Sequence, residues 1–131
     1  MTEFTELLEQ IDAPAGRFGH RQHIQLAWLA VRRHGTPDAV IRVSGWIRHA
    51  TDYEQRPQKY NATMTQAWTR IVGHHIDADP SVADFDVFAA RNPELLDKRL
   101  LSRHYTSATL ASAAARAGWV EPDLVAFPPA G

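Results

Sequence analysis

The chain has 131 residues, a formal net charge of −1, 44% apolar and 22% charged side chains, and no cysteine. These are the proportions of an ordinary globular domain, large enough to bury roughly two thirds of the surface its unfolded chain exposes. The balanced charge excludes the basic excess of a nucleic-acid or anionic-membrane binder, and the lack of Cys excludes disulfides, thiolate metal sites and a Cys nucleophile.

The N-terminal residues Met1-Thr2-Glu3-Phe4-Thr5-Glu6 are acidic, unlike the basic start of a signal peptide. No window approaches 18 uninterrupted apolar residues. A cytoplasmic setting is expected, with no membrane and no nucleic acid as partner. Residues 3–11 place Phe4, Leu7, Leu8 and Ile11 at helical spacing, and Asp12-Ala13-Pro14-Ala15-Gly16 breaks that pattern.

The first major helix is expected from about Gly19 to His34, closed by Gly35 in a left-handed conformation with Arg32, Arg33 and His34 in its last turn. Thr36-Pro37-Asp38 then reads as an N-cap hydroxyl, a proline at the first helical position and an acid in the first turn. The second helix covers about 37–51, with Val40, Val43, Ile47 and Ala50 as its stripe and Trp46 off it, so that more than one side is buried. Gly45 in mid-helix suggests close approach of another helix.

A polar loop with Pro57 follows over Asp52 to Lys59. The third helix is expected from Tyr60-Asn61 to about Ile76, with Met64, Trp68, Ile71 and His75 along one side. Asp79-Pro80 restarts a short helix through Val82, Phe85 and Phe88. Asn92-Pro93-Glu94 opens another through Leu95, Leu96, Leu100 and Leu101, and Thr106 or Ser107 caps a final Ala-rich helix ending at Gly118. Beyond Trp119 the prolines forbid a helix, and an extended strap packing through Leu124 and Phe127 is expected. The expectation is all-α: a compact single-domain bundle of five or six helices, with residues 1–16 as an N-terminal segment, 17–118 as the helical core and 119–131 as a Pro-rich C-terminal strap.

Chemistry concentrates at three places. His20 and His23 are three apart, so on a helix they share a side with Cβ atoms roughly 5–6 Å apart, at the head of the stripe Ile24, Ala27 and Val31. They can form half of a metal site, bind a small acidic ligand, or be satisfied core groups. Asn61 and Thr65, four apart with Trp68 continuing their face, read either as a pocket wall or as an N-cap and a hydroxyl bonded back to the helix. Tyr105, before a helix start, reads as a pocket wall or a buried phenol. His34, His49, His74 and His75 read as surface or end-cap residues, and Trp28, Trp46 and Trp68 as core. No G-x-S-x-G, Walker loop, G-x-G-x-x-G or H-E-x-x-H is present.

Taken together, Phe18-x-His20-x-x-His23-Ile24-x-Leu26-Ala27-Trp28, Tyr60-Asn61-x-Thr63-x-Thr65-x-Ala67-Trp68, Leu95-Leu96, Tyr105-Thr106-Ser107, Leu110-x-Ser112 and Trp119-Val120-x-Pro122-Asp123-Leu124 carry a resemblance over about residues 17–128. The chain resembles a family of small bacterial all-helical proteins without an established activity. The resemblance implies that the two helix starts and the Tyr105 turn belong together. It also implies a histidine, within Y-H-E-T, where this chain has Asn61 and Ala62. Three such histidines would suit Zn, Fe or Cu; here His20, His23 and Asn61 are the candidate metal ligands, with Asn a weaker donor. The expectation is a small-molecule enzyme, metal-dependent or not. Its catalytic candidates are His20, His23 and Tyr105, and its pocket groups Asn61 and Thr65. The alternative is a non-catalytic helical ligand-binding or protein-interaction module.

Overall fold

The computed structural model describes residues 2–53, 55 and 60–128, and among these every regular element is helical. In chain order the α-helices are α1 (Glu3–Glu9), α2 (His20–His34), α3 (Thr36–Tyr53), α4 (Ala62–Ala78), α5 (Phe85–Arg91), α6 (Ser107–Leu110) and α7 (Ala113–Ala117). Among the described residues three 3₁₀ segments, Pro14–Gly16, Pro93–Leu96 and Lys98–Arg103, lie between them. The all-α bundle expected from sequence is what the structure shows. Of the polar loop expected over Asp52 to Lys59, 52 and 53 instead continue α3, and 54 and 56–59, like 1 and 129–131, lie outside the described residues.

The three long helices α2, α3 and α4 pack on one another and build the frame. α2 is buried on most of its circumference and divides the interior. Ile24, Ala27 and Trp28 meet Ala67, Trp68, Ile71 and Val72 of α4, with Phe85 and Phe88 of α5 and Leu95, Leu100, Leu101 and Tyr105 beyond. Leu26, Ala30 and Val31 turn the other way, toward Leu7 and Ile11 and toward Ala39, Val43 and Ile47 of α3. Trp46, off the main stripe of α3, stacks on Phe4 with ring centroids 5.6 Å apart. α3 therefore does bury a second side, against α1.

α2 ends at Gly35 with φ 83°, as its sequence predicts. α3 begins one residue earlier than expected, because Ala39 N–H donates to the Gly35 carbonyl at 3.0 Å. That puts Thr36 inside the helix rather than at its N-cap. Its side chain instead lies over Gly73 of α4, where a Cβ would stand 2.2 Å from Thr36 Oγ1 and 3.0 Å from Thr36 Cβ. The close approach expected at Gly45 is not there: nothing lies within 4 Å of the position its Cβ would take, and the residue is exposed.

Three further elements depart from expectation, each for a local reason. α5 starts at Phe85, not Pro80, because Asp84 caps it by accepting from Val87 N–H at 3.0 Å; Val82 is still buried. The helix expected through Leu95–Leu101 is two 3₁₀ segments broken at Asp97. Leu95 and Leu100 are five apart, about 140° around an α-helix, so one continuous helix would face only one inward; the break buries both. The Ala-rich helix is split at Ser112, whose Oγ accepts from Ala115 N–H at 3.1 Å and donates to the Thr109 carbonyl at 2.7 Å.

The extended tail docks through backbone bonds from Leu124 N–H to His104 O (2.9 Å) and Val125 N–H to Arg103 O (3.2 Å). Phe127 packs on His104, Tyr105 and Trp119. Leu124, expected to pack, is 52% exposed. Among the described residues no helix is long and apolar enough to cross a membrane.

Candidate functional site

The N-terminal halves of α2 and α4 enclose a cavity of ≈ 350 Å³ with the middle of α3 and one residue of the Lys98–Arg103 segment. α2 contributes Gly19, His20, His23 and Ala27; α4 contributes Met64, Thr65, Trp68 and Thr69, with its cap Asn61. Val43 and Ile47 come from α3, and Phe18 and Lys98 complete the wall. Four of the five candidate residues, His20, His23, Asn61 and Thr65, thus meet at one cavity although two helices carry them.

His20 is held in a defined orientation. Its Nε2 lies 2.8 Å from the Leu95 carbonyl oxygen, which only accepts, so Nε2 carries the proton and Nδ1 is the acceptor of the neutral ring. The ring edge meets Trp68 at 4.6 Å. Burial lowers its pKa, against the Leu95 bond, and the Lys98 charge lowers it further while Asp97 opposes it. His23 makes no hydrogen bond among the described residues, and its ring lies 4.8 Å from Phe18. Surrounding protein depresses its pKa to about 4, helped by His20 and Lys98. The residue is nevertheless exposed where it borders the cavity. His23 is a neutral imidazole with no hydrogen bond among the described residues.

Asn61 serves two structural tasks. Its Oδ1 accepts from Met64 N–H at 3.0 Å, capping α4, and its Nδ2 donates to the Leu110 carbonyl at 2.8 Å. Thr65 is half-buried, its backbone carbonyl accepts from Thr69 Oγ1 at 3.0 Å, and its own hydroxyl makes no bond among the described residues. For a metal, the wall offers two imidazoles and an amide oxygen already shared with a helix N–H. No group of three His, Asp or Glu able to hold an ion exists among the described residues.

The structure places the fifth candidate, Tyr105, elsewhere. It is 1% exposed, its hydroxyl donates to the Val120 carbonyl at 2.7 Å, and its ring packs against Trp119 and Phe127. Burial pushes the phenol up to about 12, with Glu121 adding to the shift. It is not part of the cavity wall. Of the other histidines, His75 is half-buried, bonded to the Ile71 carbonyl (2.8 Å) and Glu94 (3.0 Å), and His34 pairs with Glu3 at 2.7 Å.

Lys98 was not legible as a site residue, since Asp97-Lys98-Arg99 reads as a solvated charge run. Fold and cavity together define an all-α bundle with one mixed polar and apolar recess at the starts of two of its long helices. No family model, curated protein or solved structure matches the chain.

Proposed function

We propose that this chain is a small-molecule enzyme working in the recess headed by His20 and His23. The observation that carries the reading is the pair of imidazoles on one cavity wall. One is oriented by the Leu95 carbonyl, so that its remaining nitrogen is a lone-pair acceptor; the other makes no hydrogen bond among the described residues. A ring fixed through one nitrogen is how proteins set the tautomer of a base or ligand. Proton abstraction or hydrogen-bonded activation by His20 is the chemistry we assign, with Asn61 and Thr65 as wall groups. The motif resemblance to small bacterial helical proteins, the single-domain organisation and the cytoplasmic setting belong to the same proposal.

The depressed basicity of His23 and the removal of Tyr105 from the wall favour a second reading, a non-catalytic ligand-binding module. The double variant His20→Ala with His23→Ala tests for a site at all. Screening by NMR with ¹⁵N-labelled histidine and tryptophan is expected to find ligands that shift His20, His23 and Trp68 together, and the double variant should lose them while remaining folded. A large loss of stability with unchanged ligand binding would mean that the rings are core groups. Conversion of a ligand that binds at these residues selects the enzyme; binding without conversion selects the module.

A further inference from the structure

Among the described residues, the recess carries a lysine charge that no ion pair holds. Lys98 lines it and makes no ion pair among the described residues. The adjacent Asp97 holds Arg99 through both oxygens, at 3.0 and 3.1 Å, and accepts from Arg99 N–H as well, while its charge still reaches His20. Among the described residues no Asp or Glu lines the wall. The polar groups there are the imidazoles of His20 and His23, the Asn61 amide and two threonine hydroxyls, and the first residues of α2 and α4 border the same space, so the positive ends of two long helix dipoles add to the field. The remaining wall, including Phe18, Val43, Ile47 and Trp68, is apolar.

Resting on the reading of this recess as a small-molecule site, we infer that it selects a small monocarboxylate with a compact apolar body. The carboxylate sits by Lys98 with the one N–H of the neutral His23 ring as a second donor, and the hydrocarbon lies against Phe18, Ile47 and Trp68. Among the described residues Lys98 is the one lysine or arginine of a mostly apolar wall, which suits one negative charge on a greasy molecule. A phosphate dianion would call for several cations or a bidentate guanidinium, and the described wall residues offer neither. The volume falls at the lower end of the range for small-molecule sites.

The test is titration of the full chain with hexanoate, hexanamide and inorganic phosphate, read by NMR at the Trp68 indole and the histidine rings, in the natural protein and in Lys98→Met. Methionine keeps an apolar stem at an exposed position, so the fold is retained. Hexanoate is expected to bind roughly tenfold tighter than hexanamide. Lys98→Met should weaken hexanoate by roughly three- to tenfold, the size of a partly exposed charge contact, and leave hexanamide unchanged. Equal affinities for acid and amide, or indifference of hexanoate to Lys98→Met, would overturn selection of an anion while leaving the recess a small-molecule site. Phosphate binding as tightly as hexanoate would overturn the apolar body. If neither acid nor amide shifted Trp68, His20 or His23, both this inference and the reading beneath it would fall.

Discussion

Substituting Gly73 by alanine tests the packing of α3 on α4. A new Cβ would stand 2.2, 2.9 and 3.0 Å from Oγ1, Cγ2 and Cβ of Thr36. Rotating the threonine can move the first two atoms, but its Cβ is fixed by the start of α3, immediately after the left-handed Gly35. Overpacking of this kind costs about 1–3 kcal/mol, against which alanine gains about 1 kcal/mol over glycine in helix propensity. With Thr36 Cβ unable to move, the cost lies in the upper part of that range, about 2–3 kcal/mol, so the expected net loss is about 1–2 kcal/mol, a fall in Tm of roughly 4–8 °C for a chain of this size. Gly45→Ala adds a methyl group where nothing lies within 4 Å and should stabilise by about 0.5–1 kcal/mol. Urea denaturation of the two variants should therefore give opposite signs. Thr36→Gly should relieve the clash, so that a double-mutant cycle with Gly73→Ala yields a favourable coupling of about 1 kcal/mol or more. A neutral Gly73→Ala, or additivity in the cycle, would refute the contact.

Tyr105→Phe leaves the Val120 carbonyl without its donor and should cost about 1–2 kcal/mol; ligand shifts at His23 and Trp68 should not change, and their loss would return Tyr105 to the site. Thr63→Val removes a fully buried hydroxyl that donates to Gly118 O at 2.6 Å and accepts from Val120 N–H at 3.0 Å. It should cost about 2–3 kcal/mol and expose the tail to proteolysis; unchanged protease resistance would argue against this anchor. The folded protein lowers the His23 pKa from 6.5 to about 4, so the unfolded chain takes up a proton first as pH falls. Stability is then full above about pH 6.5 and declines toward pH 4. Taken whole, the shift corresponds to about 3 kcal/mol; because the residue is exposed and solvent screens it, we expect about 1 kcal/mol, seen as a smaller pH 7-to-5 loss in His23→Gln than in the natural protein. An equal loss in both would refute it. Asn61→His removes the α4 cap and the Leu110 bond, an expected cost of about 1–2 kcal/mol. Elemental analysis of untagged protein then asks whether a third imidazole brings in metal; binding by the variant alone would show that the natural wall is one donor short.

The long helices were legible because their ends are written in residues whose local physics leaves little choice. Gly35 takes the left-handed conformation that stops α2, and Asn61 caps α4 through its own carboxamide. What stayed hidden depends on neighbours. Gly45 and Gly73 are both mid-helix glycines, and only the tertiary packing decides which one faces Thr36. The Leu95–Leu101 run carries good helix formers, yet burying leucines five apart outweighed propensity. His20 and His23 could be placed on a face by spacing alone, and so could Asn61 and Thr65; that the two faces share one recess required the fold. Tyr105 points to a carbonyl fifteen residues onward, a contact that no local pattern encodes.

α4 explains why the recess and the tail are separate while depending on one helix. Successive residues at its start point in different directions: Asn61, Met64, Thr65 and Trp68 border the recess, whereas Thr63 between them grips Gly118 and Val120. The Asn61 amide reaches across to Leu110, just before α7. The recess wall is thus held in place from behind by the C-terminal quarter of the chain. Its residues therefore divide by how much else depends on them. Asn61 and Trp68 cannot change without disturbing cap or core, whereas His23 and Lys98 make no hydrogen bond or ion pair among the described residues. A fold that maximised stability alone would gain little from a lysine and an imidazole on one wall that make no bond among the described residues, since each could be replaced by a residue that packs or pairs better. That pairing of a rigid backing with unengaged polar groups is the physical argument for treating the recess as a site, and His23 and Lys98 are where it can be probed without unfolding the protein.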